Sequence, residues 1–158
     1  MFIDGNLEIC DGTDASLTTA AGTTKLGSHL DIHPLGSDNA TVDFSAGEPI
    51  YLVIEVTTTF VGSGASYNLR LVSSSETALT GGTTSNIWTT GAEGIATFAA
   101  GKRYIVSLPE HEYQRYLGIT GTATGANVTA GAINAYLTKD VENWQGTATR
   151  VPATDPAN

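Results

Sequence analysis

The chain has one cysteine, Cys10, one methionine, and only seven lysines and arginines among its 158 residues. A single thiol excludes an intramolecular disulfide and a thiolate metal cluster within one chain. Cys10 itself reads as a small buried hydrophobe in a strand-like start. Straight-chain helix formers are scarce, while Thr, Ser and Gly abound, which argues against helices. The longest aliphatic and aromatic run, Ile50–Ile54, falls far short of the roughly 20 residues that span a bilayer. No basic segment followed by an apolar one opens the chain, so no signal peptide is expected and folding in a cytoplasm is.

Acids dominate, and unevenly. Up to Phe60 nine Asp and Glu face one base, Lys25, whereas beyond it seven acids nearly balance six bases; the net charge is −9. Such a surface repels phosphate backbones, so nucleic acid is not an expected partner, and neither is a membrane. A basic or mixed protein surface is the more natural contact, and the same charge also serves solubility.

What is present is alternation. Phe2–Cys10, Thr23–Pro34, Pro49–Phe60, Ser66–Ser74, Gly101–Thr120 and Val128–Asp140 each alternate apolar with polar residues, the signature of half-buried strands. Ile50, Leu52, Ile54, Val56 and Phe60 share one face; Tyr67, Leu69 and Leu71 share another. These last two segments, joined by a Gly/Ser turn, are expected to pair as an antiparallel hairpin. Ile95–Phe98 is a further short strand candidate. Ser75–Gly94 reads as a long polar excursion with a short strand, and Pro109–Tyr113 as a single helical turn. With about eight strands and no crossover helices, the expected fold is an all-β antiparallel sandwich of jelly-roll type. It is read as a single domain over residues 1–140, followed by an extended C-terminal tail, residues 141–158.

Chemistry finds no seat. Glu110, His111 and Glu112 cluster in a loop with nothing apolar nearby to perturb them. The P-loop and nucleophile-elbow patterns are absent. Asp11-Gly12-Thr13-Asp14 lacks the spacing and closing Glu of a calcium loop, and reads as a turn. His29, Asp31 and His33 alternate on one strand and would project together, a ligand set for a cupin-like metal site. Pro34 interrupts that strand and no further ligand motif is visible, so a solvated strand face is favoured; neither enzyme activity nor a cofactor is expected. Trp88 and Trp144, read as lying in irregular segments, offer a second alternative, the aromatic platform of a carbohydrate-binding module.

Several stretches share order and spacing with a known family. They are Met1-Phe2-Ile3-Asp4-Gly5-Asn6-Leu7, Gly47–Val53, Arg103–Pro109, Arg115-Tyr116-Leu117-Gly118-Ile119 and Thr129–Leu137. In these the chain resembles the capsid cement (head decoration) proteins of tailed bacteriophages. The resemblance implies a jelly-roll protein on the outer surface of the virion's icosahedral head. Its partners would be the phage major capsid protein and itself, as a homodimer or homotrimer. Contact with the capsid or a neighbouring subunit is then expected from Phe2, Ile3, Arg103, Arg115, Tyr116, Tyr136, Trp144 and Arg150.

Overall fold

The computed structural model describes residues 7–12, 21–32, 42–43, 49–63, 65–110 and 112–139. They form eleven strands: β1 (Glu8–Asp11), β2 (Gly22–Asp31), β3 (Val42–Asp43), β4 (Tyr51–Val61), β5 (Ser66–Ser74), β6 (Thr84–Thr89), β7 (Glu93–Gly94), β8 (Arg103–Ser107), β9 (Glu112–Tyr113), β10 (Tyr116–Thr124) and β11 (Ala130–Thr138). No α-helix occurs among the described residues; a 3-10 turn spans Ile95–Thr97.

Two antiparallel sheets pack face to face. The first has the order β1-β11-β4-β8; the second has β2-β10-β5-β6, with β7 also pairing β5, while β3 and β9 form a separate two-stranded patch. Counting only the eight strands of the two main paths in chain order, the sheets read 1-8-3-6 and 2-7-4-5. That is the wiring of a jelly roll, two Greek keys folded over one another. The expected all-β sandwich is the observed fold.

The alternation in each strand turns one set of side chains inward. Leu52, Ile54, Val56 and Phe60 of β4 meet Tyr67, Leu69 and Leu71 of β5, with Leu117 and Ile119 of β10 and Ile133, Ala135 and Leu137 of β11 completing the core. Burying each large apolar side chain stabilises the fold by about 1.5–3 kcal/mol. An aromatic group fills the middle: Phe60 and Phe98 stack at 5.0 Å, and Tyr67 meets Phe60 edge-on at 5.2 Å. Tyr67 fits only because β10 has Gly121 beneath it, where a Cβ would collide with the phenol ring.

Four expectations about local structure are overturned. β4 and β5 are not a hairpin: they belong to opposite sheets, and β4 pairs with β11 and β8 while β5 pairs with β10 and β6. Both strands carry an apolar face, and facing each other across the core buries both, whereas lying side by side would leave that task to other strands. No described residue of Pro109–Tyr113 is helical; Glu112–Tyr113 pairs with β3, and the Tyr113 hydroxyl donates to the Pro109 carbonyl at 2.6 Å. Ile95–Thr97 is a 3-10 turn rather than a strand. Trp88 lies on β6, not in an irregular segment, and packs against the core and Tyr104.

Cys10 is buried, its thiol donating to the Leu26 carbonyl at 3.3 Å. The Ser75–Gly94 excursion does contain a strand, β6, and its first part is a compact flap. Ser75 N–H donates to Thr83 O at 3.0 Å, Thr83 N–H to Ser75 Oγ at 3.1 Å, and the Thr84 hydroxyl to Gly81 O at 2.6 Å. The flap carries Leu79 onto the outer face of the second sheet, where it is buried.

Candidate functional site

The described contact candidates separate into two groups on opposite outer faces of the sandwich. On the first sheet, the registers align Glu8, Tyr136, Val53 and Ile105 in one row across β1, β11, β4 and β8. The neighbouring row is Asp11, Asn134, Glu55 and Arg103. Arg103 faces Glu55 and holds it with Nη2 at 2.9 Å and Nε at 3.2 Å from Oε1. Both partners are partly exposed, so the pair fixes the side chains more than it stabilises the fold, at roughly 0–1 kcal/mol.

Tyr136 departs from expectation. Its strand parity turns it away from the core, as the alternation requires, yet it is only 2% exposed. Its row partner Val53 is buried too, whereas Ile105 at the end of the row is exposed. Tyr136 is therefore not a solvent-facing contact residue. Burial, reinforced by the Glu55 carboxylate and opposed by Arg103, pushes its phenol up to about 12.

On the second sheet, Tyr116 of β10 stands opposite Asp31 of β2. Arg115 bonds Asp31 Oδ2 with Nη2 at 3.0 Å and with Nε at 3.2 Å, and its guanidinium carbon lies 5.1 Å from the Tyr116 ring centroid. His29 meets the same ring edge-on at 5.2 Å. Its Nδ1 lies 3.1 Å from Lys25 Nζ, and Lys25 also donates to the Thr77 carbonyl at 3.1 Å. Burial first, and the Lys25 ammonium second, hold the His29 imidazole below its ordinary value, with Asp31 opposing them.

This cluster joins contact candidates Arg115 and Tyr116 to two of the proposed metal ligands. Asp31 gives its carboxylate to Arg115, and the Lys25 ammonium stands on the Nδ1 side of the His29 ring, where its charge opposes a second cation nearby. Among the described residues no group of three His, Cys, Asp or Glu is placed to hold a metal. His33, Phe2, Ile3, Trp144 and Arg150, like His111 and the tail over residues 141–158, lie outside the described residues.

Sequence reasoning assigned nothing to Glu55 or to Arg70. The available signal was each residue's place as a charge on the polar face of an otherwise apolar strand, which strand pairing alone converts into a position. Among the described residues no helix is long and apolar enough to cross a membrane.

No curated protein matches the chain. A protein-family model described as Bbp16 matches residues 13–137, spanning every strand from β2 through β10 and nearly all of β11. The chain belongs to the Bbp16 family.

Proposed function

We propose that this chain is a structural capsid cement protein, binding the outside of an icosahedral phage head and joining adjacent major capsid subunits. The reading rests on the resemblance carried by Gly47–Val53, Arg103–Pro109, Arg115–Ile119 and Thr129–Leu137. These segments contribute to β4, β8, β10 and β11, strands that build both sheets of a jelly roll. The observation that carries it structurally is the placement of the Arg103–Glu55 and Arg115–Asp31 pairs on opposite outer faces. One copy can therefore touch two neighbours at once.

The physics of such a role is mass action. A ligand that binds only the assembled shell stabilises it by RT ln(1 + [L]/Kd) at every site, and self-association makes attachment multivalent. No catalytic group is needed for this, and no cofactor. In this role the partners are the major capsid protein and further copies of this chain, and the location is the virion surface.

Cosedimentation with expanded heads tests the proposal. The protein should pellet with heads and raise the temperature at which they release their DNA. Failure to pellet at concentrations well above micromolar would refute it. Charge reversal at Arg115 together with Arg103 should weaken pelleting while leaving the free protein folded.

A further inference from the structure

Arg70 occupies the centre of the second sheet's outer face. The registers set Lys25, Thr120, Arg70 and Thr89 in one row across β2, β10, β5 and β6. The adjoining row is Gly118, Val72 and Asn86. Above them the Ser75–Thr83 flap folds over, and between flap and sheet lies a recess of about 330 Å3. That is the lower end of the roughly 300–1,000 Å3 range of small-molecule sites, the size of a single ring rather than a chain.

The lining has a consistent chemistry. Of the three described arginines, Arg103 and Arg115 are held by carboxylates, while half-buried Arg70 has no ion pair or side-chain hydrogen bond among the described residues. No acidic residue lines the recess. Asn86, Thr80 and Thr120 surround Arg70 with side-chain amide and hydroxyl groups that likewise have no side-chain partner among the described residues. Val72 of the sheet and Leu79 of the flap add an apolar patch, and both are buried. A partly desolvated guanidinium favours a bidentate oxyanion, a carboxylate or a phosphate. A phosphate monoester carries about −1.5 to −2 charge and calls for more than one cation, whereas a carboxylate carries a single charge that one guanidinium balances. Here the second cation of the row, Lys25, is engaged by Thr77 and His29.

We propose that this recess binds an acidic sugar residue. Its carboxylate lies on the Arg70 guanidinium, its hydroxyls on Asn86, Thr80 and Thr120, and a C–H face of its ring on Val72 and Leu79. This activity is separate from shell binding and does not depend on it. It also differs from an aromatic sugar platform, because Trp88 is turned into the core.

The test uses the full chain in solution, following backbone amide and arginine side-chain NMR signals during titration with methyl β-D-glucuronide and N-acetylneuraminic acid. Methyl β-D-glucoside, acetate, inorganic phosphate and a short oligoglutamate peptide are the comparison probes. At least one acidic sugar should shift signals of Arg70, Thr120 and Asn86 at millimolar concentration, with the glucoside and acetate much weaker. Arg70→Ala should lower affinity at least tenfold at an unchanged melting temperature, and Asn86→Ala should lower it with Arg70 intact. No shift with either acidic sugar, or shifts that persist in Arg70→Ala, would overturn the proposal. Equal response to acetate or phosphate would reduce the recess to a bare anion hole, and tighter binding of the peptide would assign it to a protein side chain; either result also overturns it.

Discussion

Leu79 rests directly on Gly118. The flap brings Leu79 down with its backbone in the left-handed region, φ 60°, and the leucine tip occupies the space a Cβ on Gly118 would need. A non-glycine residue at positive φ is unfavourable, and burial of the side chain is what offsets it.

Replacing Gly118 with valine should therefore displace the flap and destabilise the protein by about 1–3 kcal/mol, the usual range for overpacking. Leu79→Ala should cost about 2 kcal/mol or more. The double variant should cost less than the sum, since the smaller side chain leaves room for the new one. Urea unfolding of the three variants measures this coupling; simple additivity would show that the two residues do not share one space.

Gly121→Ala is expected to destabilise by about 1–3 kcal/mol as well, because the added methyl meets the Tyr67 ring at the centre of the sandwich. Its mark is a change in near-ultraviolet circular dichroism, since Tyr67 packs against both Phe60 and Phe98. An unaltered aromatic spectrum would contradict the packing described.

The His29 imidazole, held below its ordinary value of 6.5, disfavours protonation in the folded state. The unfolded chain takes up that proton first, so the contribution is fully present above about pH 6.5 and is lost as pH falls from there through the lower folded value. His29→Gln should flatten the melting temperature profile in that window. An NMR titration of the His29 ring should give a midpoint below 6.5 that rises in Lys25→Met.

Tyr136 gives the opposite sign at the other end of the scale. Its phenol is raised from 10.0 to about 12, so the unfolded chain loses this proton before the folded one does. Stability from this group is complete below pH 10 and declines as pH rises from 10 towards 12. Tyr136→Phe should remove part of that alkaline decline, measured as melting temperature against pH with the wild type alongside.

The core was legible because strand alternation is a direct readout of burial: Leu52, Ile54 and Val56 could face only one way together. Which strands lie side by side was not legible. β4 and β5 have the periodicity and short turn of a hairpin, but the same signals serve two strands facing each other across a core. Trp88 shows a related limit. Ile87 and Trp88, an apolar pair isolated in a polar stretch, read as loop residues until Leu71 is found opposite Trp88. For the candidate site, Arg115 was identifiable but its carboxylate was not, because Asp31 lies 84 positions away. Tyr136 points outward as its parity demands and is nevertheless covered, and parity has no term for what lies over an outer face.

The jelly-roll layering also gives this protein a stiff and a yielding direction. Along each strand the backbone is covalent, and across each sheet neighbouring strands are tied by backbone hydrogen bonds. Between the sheets, at the level of Phe60, Phe98 and Tyr67, the connection is aromatic side chain against side chain. A squeeze applied to the two outer faces meets a close-packed interior of low compressibility. A pull on the same faces meets dispersion contacts that fade within an ångström of separation. Placed between two neighbours, such a domain acts as a strut under compression, and its weakest plane under tension is the one holding those three rings.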